Sequence, residues 1–177
     1  MGDVLTYKQE LTEIMSWLAS KPDTIFIGQS VLWRGNSIFD TLTSVPEAKR
    51  LEFPVAEDFQ LGFCVGLALA GYFPVSCYPR FDFLLLAANQ LVNHLDRITE
   101  ITGGNFNPRM IVRTMIGPKT PLNAGAQHTG DYTTAFRRML RNVVVVKVLP
   151  GSVEKTYRWA YEEADKPVLI IEDGGWY

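Results

Sequence analysis

The chain has 177 residues, 47% hydrophobic and 20% charged, with a formal net charge of −2. That length can bury a core, the composition excludes a disordered chain, and the near-neutral balance without a basic stripe argues against nucleic acid or an anionic membrane as the main partner. The two cysteines, Cys64 and Cys77, sit in apolar segments without framework spacing and read as buried free thiols of a cytosolic protein.

In chain order, an N-terminal helix is expected within residues 1–22, because Leu5, Leu11, Ile14, Met15 and Leu18 recur at helical steps. "MGDVLTYKQE" has no basic region leading into an apolar one, so no signal peptide is expected. "DTIFIG" reads as a strand ending at Gly28. "GNSIFDTLTSVP" reads as a short helix capped by Asn36 or Ser37 with Pro46 beyond its end. "KRLEFP" is a strand, Ala56 to Gly71 a helix and "PVSCYP" a strand. A long helix is expected from about Asp82 to the Gly103–Gly104 stop. "RMIVRTMI" is a strand, residues 117–132 a polar loop and "TTAFRRML" a helix. "NVVVVKVL" is a strand, "SVEKTYRWAYEEAD" a helix with Ser152 in the cap position, and "KPVLIIED" a final strand.

Apolar strands alternating with helices specify an α/β fold: a doubly wound, mostly parallel six-stranded sheet with helices on both faces. The stretch Leu61–Tyr78 carries no charge but is interrupted by Gly62, Gly66, Gly71 and Pro74, so it reads as a buried helix and strand, and no membrane span is expected. Ligands of such sheets collect at the carboxyl ends of the strands. Two segments are expected there, the turn carrying Glu57 and the loop carrying His128.

No Gly-x-Gly-x-x-Gly or Walker-type loop is present, and "GQSVL" lacks the second glycine of a nucleophile elbow. Two distant histidines without a cysteine pair give no zinc pattern. What remains has two readings each. Glu57, with Asp58, complements a helix dipole or serves a ligand; the small residues Gly62, Gly66, Ala70 and Gly71 would let a neighbouring backbone come close. His128 is solvated or acts as an acid–base group, while His94, beside Leu91 and Leu95, reads as structural. "YPRFDF" is a stacking platform or core. Arg113, placed by the pattern at the end of its strand, pairs with a ligand or a structural carboxylate.

In order, "FPVAEDFQLGFCVGLALAGYFPV", "RFDFLLLAANQLVNHL", "ITGGNFNPRMIVRTMIG", "AGAQHTGD" and "VVVVKVLPGSVEKTYRWAYEEADKPVLIIED" resemble the pyrimidine-binding domain of thiamine-diphosphate enzymes. The likeness is to the β subunit of 2-oxo-acid dehydrogenases of the pyruvate dehydrogenase type and, further off, to transketolases. It covers roughly Thr24 to Tyr177 and treats residues 1–177 as one domain. It implies that Glu57 hydrogen-bonds a ring nitrogen of the cofactor's aminopyrimidine, favouring the imino tautomer that deprotonates the thiazolium carbon. It further implies that Val55, Phe83 and Leu86 wall the pyrimidine pocket, and that His128 orients the substrate. The Gly-Asp-Gly…Asn motif that holds diphosphate through a divalent metal is missing here. The resemblance therefore implies a cytoplasmic subunit of a split enzyme that shares thiamine diphosphate with a diphosphate-binding chain carrying that motif. Mg would be bound by the partner, this chain would hold no metal, and it would self-associate through the small-residue helix.

The implied reaction cleaves or forms a carbon–carbon bond next to a carbonyl of a 2-oxo acid or ketose. The alternatives are a degenerate, non-catalytic binding or assembly module, and an unrelated flavodoxin-like ligand binder. Departures from the family pattern stand beside the likeness. "CYPRF" replaces a more acidic and apolar segment, "RNVVVVKVL" lacks a leading Pro-Gly, and "QHTGD" blends two loop types. The chain stops at "EDGGWY", about where a linker to a further domain is expected.

Overall fold

The computed structural model describes residues 5–121 and 123–177; the first four residues of the expected 1–22 helix, and Leu122 of the polar loop, lie outside the described residues. The N-terminal helix is α1, Tyr7–Ala19, and it starts where Thr6 and Gln9 satisfy each other's backbone amides in a capping box. Its buried face is Tyr7, Leu11, Ile14, Met15, Leu18 and Ala19, while Leu5 stays exposed ahead of the cap.

Six parallel strands follow: β1 Thr24–Gly28, β2 Arg50–Glu52, β3 Phe73–Tyr78, β4 Ile111–Ile116, β5 Val144–Lys147 and β6 Val168–Asp173. Their order across the sheet is β2-β1-β3-β4-β6-β5. Alternate residues of each central strand feed two separate cores. Ile111, Met115, Val168 and Ile170 face α1, α2 (Ser37–Asp40) and α7 (Val153–Glu162). Val112, Ile116, Leu169 and Ile171 face α3 (Glu57–Leu69), α4 (Phe81–Leu84) and α6 (Thr133–Met139). Burial of both faces explains why the strands read as unbroken apolar runs, each large side chain contributing roughly 1.5–3 kcal/mol.

Several expectations change. The helix expected from Asp82 to Gly103 is four short pieces: α4, a 3-10 turn at Leu85–Ala87, a π-helical stretch at Gln90–Leu95 and α5 at Ile98–Ile101. The cause lies at its far end, where Leu95 and Asp96 are adjacent yet both buried. The Asp96 carboxylate accepts the amides of Arg141, Asn142 and Val143 at 2.7–2.9 Å, and the widened turn brings two consecutive residues inward. His94, on that stretch, is exposed and not packed in the core. Asn36 is the cap of α2, accepting the Phe39 amide at 2.9 Å, but the helix ends at Asp40. Ser152 precedes α7 without capping it; its hydroxyl donates back to the Leu149 carbonyl. Among the described residues no helix is long and apolar enough to cross a membrane.

Candidate functional site

Strand order reverses between β1 and β3, so the ends of these strands open the crevice where doubly wound sheets place ligands. The floor is built by close approach. Gly28 ends β1 against the Cys77 carbonyl, where any Cβ would collide. Below it, the buried Gln60 side chain donates to Ser76 Oγ at 3.0 Å and to the carbonyls of Cys77 and Ile27 at 3.1 and 3.4 Å, tying α3 to both strands. The thiols of Cys64, in the core under α3, and of Cys77, in the core on the opposite face of the sheet, are pushed up to about 12 by burial, so they are inert as nucleophiles at neutral pH.

Glu57 is the first residue of α3, and Ala56 before it makes no side-chain cap, so nothing local competes for this helix start. Its backbone carbonyl accepts the Tyr78 hydroxyl at 3.2 Å, anchoring the turn to the end of β3. Burial drives the Tyr78 phenol well above its ordinary range, so that hydroxyl stays a donor. Among the described residues the Glu57 carboxylate has no hydrogen-bond or ion-pair partner. Asp58 differs: it accepts from Gln90 at 3.2 Å, a structural tie of α3 to the π-helical stretch. Val55 is 67% exposed and Leu86 65%, so both apolar side chains stand uncovered. α3 packs on the Leu85–Ala87 turn, which sets the Glu57 helix beside the segment carrying Phe83 and Leu86.

The fold does bring Phe83 and His128 together, edge to face with ring centroids 5.5 Å apart. "YPRFDF" thus divides: Phe81 is core, stacked on Phe136, and Phe83 serves the edge. The histidine loop is held from three sides. Gly117, just past β4, lies so close to the His128 carbonyl oxygen that a Cβ there would overlap it. Asp82 accepts the Gly130 amide at 3.3 Å and the Tyr132 hydroxyl at 3.0 Å. Lys147 links Asp131 of the loop, at 3.2 Å, to Asp173 at the end of β6, at 3.1 Å. His128 is half-buried, and its Nδ1 is covered without a partner among the described residues.

Arg113 is not at this edge. It lies within β4, fully buried on the opposite face, and bonds Glu172 Oε1 at 2.7 Å and Thr41 at 2.7 Å. Burial opposes its charge, but the Glu172 carboxylate outweighs that and holds the guanidinium charged. It is a structural ion pair. Among the described residues no group of three metal-ligating side chains gathers. Sequence reasoning missed Asp82 and Gln60 as supports, because their partners are remote in sequence; the apolar stretch around Gln60 is the one signal that a polar side chain there must be bonded.

A parallel sheet with a carboxylate unpaired among the described residues at one helix start, two uncovered apolar side chains and an aromatic–histidine pair makes this an α/β protein with a candidate ligand site at its carboxyl edge. The chain belongs to the pyrimidine-binding domain family of transketolase and other thiamine-diphosphate enzymes, whose pattern matches residues 4–175. It is 26% identical over 178 residues to the pyruvate dehydrogenase E1 component subunit beta of Cyanidium caldarium, covering 97% of this chain and 53% of that protein. With the mitochondrial subunit beta of Chaetomium thermophilum it is 27% identical, covering 95% and 44%. The chain thus spans about half the length of the curated relatives it matches. In fold it is similar to a split-gene transketolase solved as an inactive β4 tetramer, at a TM-score of 0.72 and 15% identity over 97% of this chain and 52% of that one. The transketolase of Campylobacter jejuni subsp. jejuni NCTC 11168 gives the same TM-score at 17% identity, over 96% and 26%.

Proposed function

We propose that this chain is the pyrimidine-binding subunit of a split thiamine-diphosphate enzyme that makes or breaks a carbon–carbon bond next to the carbonyl of a 2-oxo acid or ketose. Residues 1–177 form its pyrimidine-binding domain, inactive alone and cytoplasmic. The observation that carries this reading is Glu57, a carboxylate at the strand-edge crevice with no partner among the described residues, set beside apolar surface that a ring would cover. Those residues fit the cofactor: a hydrogen-bond acceptor or donor for one ring nitrogen, and uncovered Val55 and Leu86 with Phe83 for the ring faces.

When bound, thiamine diphosphate supplies the carbanion-stabilising chemistry. Glu57 holds the pyrimidine edge and shares one proton with it. Val55, Phe83 and Leu86 exclude water, which strengthens that hydrogen bond. His128, braced on Phe83 and Gly117, orients the substrate and exchanges a proton with it. Diphosphate and its Mg are held by a partner chain with the Gly-Asp-Gly…Asn motif. Self-association uses the outward face of α3, where Phe59 and Phe63 are exposed beside Gly66 and Ala70.

The test is co-expression with a diphosphate-binding chain of that kind, measuring thiamine-diphosphate binding and deuterium exchange at its thiazolium carbon. Wild type should bind and exchange, and Glu57→Gln should lose most of the exchange. Equal exchange in the variant would remove the role of Glu57. Failure of the two chains to associate would favour a non-catalytic assembly module.

A further inference from the structure

Arg80 stands at the same edge and has no part in the reading so far. It leaves the end of β3 through Pro79 in an extended conformation and occupies the residue before α4. Its Nη1 donates to the Pro79 carbonyl at 2.8 Å. Its Nε is buried and has no partner among the described residues. Within the described residues no carboxylate lies in ion-pair range of the guanidinium: Asp82 is bonded to Gly130 and Tyr132, and Asp131 and Asp173 to Lys147. The protein's fully buried guanidinium, Arg113, was given a carboxylate of its own. Arg80, half-buried, has no carboxylate bonded to it among the described residues; burial lowers its proton affinity, and the more distant Tyr177 and Asp82 offset that only in part.

The position of Arg80 is specific. A Cβ on Gly117 would lie 3.2 Å from Arg80 Nε and would also strike the His128 carbonyl, so Arg80 and His128 flank the same glycine. Arg80 Nε and His128 Nδ1, both covered and without a partner among the described residues, thus belong to two residues that approach the same glycine, and His128 also meets the Phe83 ring. Leaving buried donors unpaired is costly, and a planar guanidinium matches the two oxygens of a carboxylate or phosphate. Arg80 also falls in "CYPRF", a stretch that departs from the family pattern, which fits a determinant particular to this chain.

We propose that Arg80, together with His128, binds the anionic end, carboxylate or phosphate, of the substrate. This rests on the reading above that the edge is the reaction site. The oxyanion takes the free donors of the guanidinium and the imidazole, and the Phe83 side of the pocket receives the carbonyl carbon.

The experiment follows the Arg80 Nε–H and the His128 and Phe83 ring signals of the isotope-labelled full chain by NMR, at constant ionic strength. Sodium pyruvate and inorganic phosphate are titrated separately, with sodium chloride as control. A saturable shift centred on Arg80 and His128 is expected for one anion, roughly tenfold weaker in Arg80→Gln and partly restored in Arg80→Lys. A stronger response to pyruvate assigns a 2-oxo acid; a stronger response to phosphate assigns a sugar phosphate. No saturable shift with either anion, or the same shift with chloride, overturns the proposal, and so does undiminished binding in a folded Arg80→Gln. The wild-type titration reads Arg80 directly, so it decides even if that variant does not fold. Thiamine diphosphate takes no part in it. Anion binding at Arg80 with no dependence of the assembled enzyme on Glu57 would sink the cofactor reading alone, and the reverse result would sink the Arg80 assignment alone.

Discussion

The two faces of this sheet treat charge in opposite ways. On the α1–α7 side, Arg113 and Glu172 are fully buried and bonded to each other: Thr41 accepts from the guanidinium, Tyr157 donates to Glu172 at 2.6 Å, and Tyr177 donates to the other carboxylate oxygen, so both Glu172 oxygens are bonded while Arg113 Nη1 is left without a partner among the described residues. At the carboxyl edge, Glu57, Arg80 and His128 keep atoms that nothing in the described chain satisfies. The first arrangement is closed in charge, as a structural ion pair requires, since a desolvated charge repays its cost only against an opposite one. The second is open in charge among the described residues, which leaves room for the proposed ligand.

The largest effect that tests this contrast is on stability. Glu172→Ala should cost about 3–5 kcal/mol, because it strands the buried Arg113 charge, and Arg113→Met with Glu172→Leu together should recover much of the loss. Glu57→Gln should change stability by less than about 0.5 kcal/mol. Chemical denaturation measures all three, and a Glu57→Gln cost equal to that of Glu172→Ala would erase the distinction between closed and open charge.

A smaller effect separates the supports of the two regions. Gly117→Ala should cost about 1–3 kcal/mol by pushing the His128 carbonyl aside, and the Phe83–His128 ring contact seen by NMR should vanish with it. Gly28→Ala, which drives a methyl into the Cys77 carbonyl, should cost a similar amount while leaving that ring contact in place. Loss of the contact in both variants would mean that the histidine loop depends on the sheet as a whole.

The smallest effect is a pH dependence of the loop clamp. Partial burial raises the Asp131 carboxyl, but bonds from the Thr133 hydroxyl and amide and from Lys147 outweigh it and leave the group below its ordinary value. A lowered folded value means the clamp contributes fully above the unfolded carboxylate range near ~3.9 and is lost as pH falls through the folded value. The Thr133 backbone amide signal should therefore hold steady from neutral pH to about pH 5 on account of this clamp, and Asp131→Asn should shift it already at neutral pH.

Much of this was legible in the residues. Apolar runs separated by helical periods specified the parallel sheet, because a strand covered on both faces has no polar side to show. The step from "RLEFP" into a helix opening on Glu57 marked one end of the candidate site, and the loop after "RMIVRTMI" marked the other. What the residues left ambiguous was everything decided by register. Arg113 lies in mid-strand, and its pairing opposite Ile170 sets it two residues short of the Glu172 it bonds. The long helix breaks into short turns because Asp96 must meet three amides beyond α6.

The sequence by itself determined the class of fold, the helix start that presents Glu57 and the absence of a diphosphate motif, since these depend on local period and residue type. Only the tertiary structure decided that Phe83 meets His128, that Asp82 latches the loop, and that Arg113 is bonded to a carboxylate while Arg80 is bonded to none among the described residues. Those are contacts across strands and loops, and their energy depends on which groups converge after folding, a quantity no local pattern encodes.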